Sequence, residues 1–167
     1  MYYLNCFFIY SILGYLLESV VAFITHSNFK SGILYGIWTP VYGVGAITIL
    51  FISKYLFKNL HMNRIIETII MVIVVAIVLS TIEALGGVLI EKLFKKVFWD
   101  YNKHKYHIGK YISLEMTLIW GFISIIFVYI INPLLNNIIK KVPKSITLVL
   151  IILFVIDSIF TFVKYRK

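Results

Sequence analysis

Polar positions are sparse along this chain, and they separate five long apolar runs, at roughly residues 2–25, 33–57, 65–90, 112–138 and 145–163. Each run is long enough to cross a hydrocarbon layer of about 30 Å as a helix. The runs are continuously apolar and do not alternate with a period of two, which excludes a closed β-barrel. Only helices satisfy the backbone of such segments in lipid. The pattern therefore predicts an all-α fold, a polytopic membrane helix bundle of about five transmembrane helices. Residues 1–167 read as a single integral membrane domain, with residues 91–111 the one extended polar stretch. No internal repeat, low-complexity tract or linker stands out.

The second run is punctuated. It carries no charge between Lys30 and Lys54, yet Gly32, Gly36, Pro40, Gly43 and Gly45 interrupt it. Pro40 lacks a backbone donor and clashes with the preceding helical turn, so a kink or break is expected near Trp38–Tyr42. Irregular backbone at membrane depth is tolerated where it is buried in protein or lines a cavity, and transporters use the freed groups to hold ligands. Pro40, Tyr42 and Gly43 are therefore candidate cavity-lining residues. An ordinary proline kink, or an entry segment that merely packs, is the alternative.

The acids are few: Glu18, Glu67, Glu83, Glu91, Asp100, Glu115 and Asp157. Glu18, Glu83, Glu115 and Asp157 fall inside or just within the ends of apolar runs, where a carboxylate costs on the order of 2.5–3.5 kcal/mol at the bilayer centre. Such groups face a bundle interior, pair with one another or mark a path, so these four are candidates for an intramembrane polar site. Two of them lie on stripes at helical spacing, Ser11, Gly14, Glu18, Ala22 and Thr25 in the first run and Ala76, Ser80, Glu83 and Gly87 in the third. In the fifth run Thr161 and Lys164 follow Asp157 at one and two turns. Small and polar stripes equally suit close helix packing with interhelical hydrogen bonds. Glu115 falls in the first turn of its span, where the helix dipole favours an acid. Glu67 and Glu91 fall at span ends and read as interfacial.

Composition agrees with the membrane reading. The chain is 61% hydrophobic and 14% charged, with a mean hydropathy of +0.95, whereas soluble domains are roughly 45–50% apolar and about 25% charged. The net charge of +9 comes from loop lysines and arginines, which suit anionic lipid headgroups. Spans divide these basic residues, so no nucleic-acid groove is expected. Cys6 is the only cysteine, which excludes an internal disulfide or a paired-cysteine metal site. The start, Met1 to Phe8, lacks a positive n-region and reads as a retained first span. With five spans the side holding Lys30, Lys92, Lys95, Lys96, Lys103, Lys105, Lys110, Lys164, Arg166 and Lys167 is the more basic. The other side has Lys54, Lys58, Arg64, Lys140, Lys141 and Lys144. The bias predicts an outside N-terminus and a cytoplasmic C-terminus.

The polar stretch interleaves Phe94, Phe98, Trp99, Tyr101, Tyr106 and Tyr111 with lysines, as an element in the headgroup layer does. Trp99, Asp100 and Tyr101 form its candidate interfacial motif. Asp100, His104 and His107 have a spacing that could gather metal ligands, but Lys103 and Lys105 flank them and no fourth ligand is evident, so no metal is assigned. His26 and His61 carry no assignment.

Three ordered segments of the first half resemble a known family. They are Gly14-Tyr15-Leu16-Leu17-Glu18, the run from Phe29 through Lys30, Ser31 and Gly32 to Gly36, and Pro40-Val41-Tyr42-Gly43-Val44-Gly45. In the second half Glu91-Lys92-Leu93-Phe94, Trp99-Asp100-Tyr101, His107 to Leu114 and Trp120-Gly121 continue the resemblance. Together, over about residues 7–135, they are similar to the bacterial ABC-transporter type IV, CmpB-like family of membrane proteins. Departures are Lys30-Ser31 where Asn-Arg is usual, Ile37 where Pro is usual and His107 where Asn is usual. The resemblance implies a multi-span bacterial cell-membrane protein connected with transport.

The chain has no G-x-x-x-x-G-K-[ST] to cradle phosphates, so an ATP-driven transporter would need a separate ATPase subunit as partner. It also has no G-x-S-x-G, no H-E-x-x-H and no nucleophile beside an evident base. No catalytic residue or cofactor is expected. Three readings stay open. The first is a small transport-type membrane protein, a permease or membrane subunit, working with other subunits or as a homodimer. The second is a non-transporting interaction or regulatory protein. The third is a membrane-embedded enzyme acting on a lipid-linked substrate.

Overall fold

The computed structural model describes residues 1–26 and 32–166. Phe29, Lys30 and Ser31 of the family-like segment, and Lys167, lie outside the described residues. Among the described residues, six α-helices account for most of the chain: α1 Tyr2–Ile24, α2 Pro40–Asn59, α3 Arg64–Phe94, α4 Leu114–Ile126, α5 Asn132–Lys141 and α6 Lys144–Arg166. A π-helical turn, Phe127–Ile131, joins α4 to α5, so Leu114–Lys141 runs as one long helix. Among the described residues, five helical stretches are therefore long and apolar enough to cross a membrane. The fold is all-α, and among the described residues the only strands are the two-residue β1 His107–Ile108 and β2 Ile112–Ser113, paired antiparallel.

Local chemistry sets the helix boundaries. Asn63 caps α3 by accepting from the Ile65 N–H at 2.9 Å, and Ser113 caps α4 by accepting from the Met116 N–H at 3.2 Å. Glu67 in the first turn of α3 is buried and takes the Met62 N–H and the Arg64 guanidinium, each at 3.2 Å. Pro133 cannot donate to the turn before it. The wider π turn absorbs that loss, with the Asn132 N–H reaching back to the Phe127 carbonyl.

Two boundaries differ from the sequence expectation. The second run does not begin as a helix at residue 33: residues 32–37 bend irregularly, and the helix starts at Pro40. The expected interruption is thus a helix start, because proline's missing N–H costs nothing in the first helical turn. The polar stretch is also shorter, since Glu91–Phe94 still belong to α3.

The structure divides into two compact units, Met1–Ile47 with Leu135–Lys167, and Thr48–Leu134. In the first, α1 meets the start of α2 so closely that a Cβ on Gly43 would stand 2.3 Å from the Ser11 hydroxyl. Asn5 of α1 ties down the other end of this unit, donating to the Ile139 carbonyl at 3.1 Å and accepting from the Thr147 hydroxyl at 2.5 Å. In the second unit α3 packs along α4, where Ser80 and Thr117 share a 2.7 Å hydrogen bond.

Candidate functional site

The irregular stretch Gly32–Thr39 poses a physical problem, because bends leave backbone donors without helical acceptors. Asp157 of α6 answers it. Its carboxylate accepts the N–H groups of Tyr35 at 3.0 Å and Gly36 at 2.8 Å, the Trp38 indole at 2.7 Å and the Thr161 hydroxyl at 3.3 Å. The Trp38 ring is buried against the edges of Phe8 and Phe154. The Thr39 N–H then donates to the Ser11 carbonyl at 3.0 Å. Ser11 lies thirteen residues before the end of α1, about 20 Å along the helix. The stretch therefore reaches the middle of α1 before α2 begins.

Tyr42, in the first turn of α2, lays its ring over Gly14 and donates its hydroxyl to Glu18 Oε1 at 3.0 Å. Glu18 is half-buried, and its second oxygen, Oε2, is inaccessible and has no hydrogen-bond partner among the described residues. Asp157, by contrast, has both oxygens engaged.

The second unit holds Glu83, buried on α3. Its two oxygens take the Tyr101 hydroxyl at 2.6 Å and the Trp120 indole at 2.8 Å. One turn further on, Tyr111 packs its ring against Gly87 and donates to Glu91 Oε2 at 2.8 Å, while Lys110 pairs with Glu91 Oε1 at 2.7 Å. This hydrogen bond raises the Lys110 ammonium above its usual pKa of 10.5. Burial, reinforced by the bond to Glu91, pushes the Tyr111 phenol up to about 12.

The remaining candidates are engaged locally. Glu115 is exposed in the first turn of α4 and pairs with the His104 imidazole. Asp100 accepts from the Asn102 backbone and side chain, and the His107 ring lies against the Gly109 carbonyl. Among the described residues no three of His, Cys, Asp and Glu converge as a metal site. Trp99 packs edge-on against Tyr111, so Trp99 and Tyr101 both turn towards the protein. Sequence reasoning singled out Glu18, Glu83 and Asp157, and it named Tyr42 and Tyr101 in other roles, as a cavity-lining and an interfacial residue, but it did not pair them with Glu18 and Glu83. Trp38, Trp120 and the backbone of Tyr35 and Gly36 carry no local signal of holding an acid. Glu91 read as an interfacial acid, and its grip on Tyr111 and Lys110 was not foreseen.

Five apolar spans and a set of polar contacts made by neutral donors define a multi-pass helical membrane protein. The family model described as "Putative ABC-transporter type IV" matches residues 5–162, and the chain belongs to that family. Comparison with curated proteins and with solved structures gives no match.

Proposed function

We propose that this chain is the membrane subunit, or permease, of an ATP-driven transport system whose ATPase is a separate protein. The observation that carries the reading is the irregular stretch Gly32–Thr39, bonded to Asp157 of α6 and reaching the middle of the apolar helix α1. Non-helical backbone at membrane depth belongs where it is buried in protein or lines a polar path, and transporters build their sites from such breaks. Family membership supports a transport role, and the lack of a phosphate-cradling loop assigns ATP hydrolysis to a partner. Of the interior acids, Glu18 is the one with a buried oxygen unengaged, so Glu18 is the group available to a polar or cationic cargo. Pro40, Tyr42 and Gly43 shape the wall beside it. The loop-charge bias supports a cytoplasmic C-terminus, where the basic loops meet the ATPase. A homodimer would complete a path that five helices are too few to enclose.

Full engagement of Asp157 and Glu83 favours a second reading, in which the acids are structural and the chain is an interaction or regulatory protein. Purification of the tagged chain in gentle detergent, with mass spectrometry of stoichiometric partners, separates the two. An ATPase in fixed ratio is the expected outcome. A different membrane protein in fixed ratio favours the second reading, and a chain that purifies alone removes the ATP-driven one.

A further inference from the structure

The loop between α3 and α4 contains aromatic residues and lysines in one sequence, but the structure separates its residues by direction. Tyr101 and Tyr111 turn inward, to Glu83 and to Gly87 and Glu91. Tyr106 and Ile108 turn outward, 58% and 75% exposed, on the β1–β2 hairpin. Lys103 and Lys105 are exposed just before them. The acids nearby are already engaged: Glu91 holds Lys110 and Tyr111, Asp100 holds Asn102, and Glu115 holds His104. The outward surface is therefore cationic and apolar at once.

Its depth follows from the helix beside it. With 31 residues, α3 is about 46 Å long, some 16 Å more than a hydrocarbon core of about 30 Å. The surplus allows the last turns of α3 to stand in the headgroup layer. The loop folds back along those turns, because Tyr111 packs on Gly87, seven residues before the end of α3. Three further hydrogen bonds close the loop on itself and fix its shape. The Tyr101 N–H donates to the Lys110 carbonyl, the Leu114 N–H to the Tyr106 carbonyl, and the His104 N–H to the Tyr101 carbonyl. A hairpin held this way keeps a fixed shape beside the last turns of α3 and leaves Ile108 exposed next to its turn.

We infer that Lys103, Lys105, Tyr106 and Ile108 form a binding surface for anionic phospholipid headgroups of the bilayer that the chain spans. The two lysines meet the phosphate and its extra negative charge, and each is worth about a fivefold gain in affinity near an anionic surface. Tyr106 suits the headgroup level, and Ile108 inserts among the upper acyl carbons. The inference does not depend on transport or on an ATPase partner.

The test is native mass spectrometry of the full chain in gentle detergent, titrated with phosphatidylglycerol or with phosphatidylcholine of the same acyl chains. Phosphatidylglycerol should be retained at least about tenfold better. Lys103→Gln with Lys105→Gln should remove most of that preference and leave phosphatidylcholine unchanged. Ile108→Ser should weaken both lipids. Lys54→Gln with Lys58→Gln, at the opposite end of the span preceding α3, should leave the preference intact. Equal retention of the two lipids, or a preference that survives loss of Lys103 and Lys105, overturns the inference. So does a photocrosslinker at position 108 that captures protein in native membranes and no lipid.

Discussion

Tyr111 fills the notch that Gly87 leaves in α3, and its hydroxyl reaches Glu91 one turn further on. Tyr42 does the same with Gly14 and Glu18 of α1. Each unit thus contains a glycine, an acid four residues later, and a tyrosine that covers the first and bonds the second. A Cβ on Gly87 would stand 2.5 Å from the Tyr111 ring, and one on Gly14 would stand 2.2 Å from the Tyr42 ring.

That geometry makes neighbouring glycines behave oppositely. Replacing a helical glycine by alanine gains about 1 kcal/mol of helix propensity, but overpacking costs about 1–3 kcal/mol. A Cβ on Gly86 meets nothing within 4 Å, so Gly86→Ala should raise thermal stability, whereas Gly87→Ala and Gly14→Ala should lower it. Thermal unfolding of the three variants in the same detergent reads the signs directly. A stabilising Gly87→Ala would show that the ring moves aside without cost.

Asp157 should matter through Tyr35, Gly36 and Trp38 more than through its own helix. Asp157→Asn keeps the shape but leaves one acceptor oxygen and turns an amide N–H₂ towards donors. At least one donor then stays unsatisfied, at a cost of about 1–3 kcal/mol. Hydrogen exchange should accelerate over residues 32–39 while α6 keeps its protection. Asp157→Leu should have the larger effect. Unchanged exchange at Tyr35 and Gly36 would mean that water or another group already serves these donors.

The spans were legible in the sequence because long apolar runs have one solution in lipid, and the helices over residues 2–24 and 64–94 follow them closely. Pro40 announced an interruption and Gly32 and Gly36 punctuated the run, but nothing local showed that residues 33–38 stay irregular along their whole length. Their geometry is held by Asp157, 119 to 122 residues away in the chain. The glycine and acid stripes were readable as periodicity, whereas the tyrosines that complete them arrive from other elements. Pro133 was the available signal for the π turn, hidden in an otherwise continuous apolar run. Pattern reading recovers what each helix dictates alone and loses what two distant segments dictate together.

The half-buried Glu18 and the buried Glu83 should respond differently to neutralisation. Glu83→Gln can still accept from the Trp120 indole and turn its amide N–H₂ to the Tyr101 oxygen, but it exchanges two charge-assisted hydrogen bonds for neutral ones, so it should lower stability by about 1 kcal/mol and change the emission of Trp120. Glu18→Gln keeps the oxygen that Tyr42 bonds and replaces an unpartnered atom with another, so stability should stay within about 0.5 kcal/mol. Cargo movement in reconstituted vesicles should nevertheless be lost in Glu18→Gln. Full activity in that variant would remove Glu18 from the path, and a stable Glu83→Gln would remove the structural role assigned to Glu83.

Strong alkali should loosen the α3–α4 loop. Lys110 holds its proton more tightly in the folded chain than its ordinary pKa of 10.5, and Tyr111 rises from 10.0 to about 12. For both groups the unfolded chain loses the proton first. Their stabilising contribution is therefore complete below about pH 10 and disappears as pH climbs through the folded values. Above that point the Lys110–Glu91 pair loses its cation, and an ionised Tyr111 faces the Glu91 carboxylate. Trp99, edge-on to Tyr111 at 5.8 Å between ring centroids, should report the change. Its emission should shift between about pH 10 and 12, and Lys110→Gln with Tyr111→Phe should abolish that shift. A shift below about pH 9, or one that survives both substitutions, would assign the transition to another group.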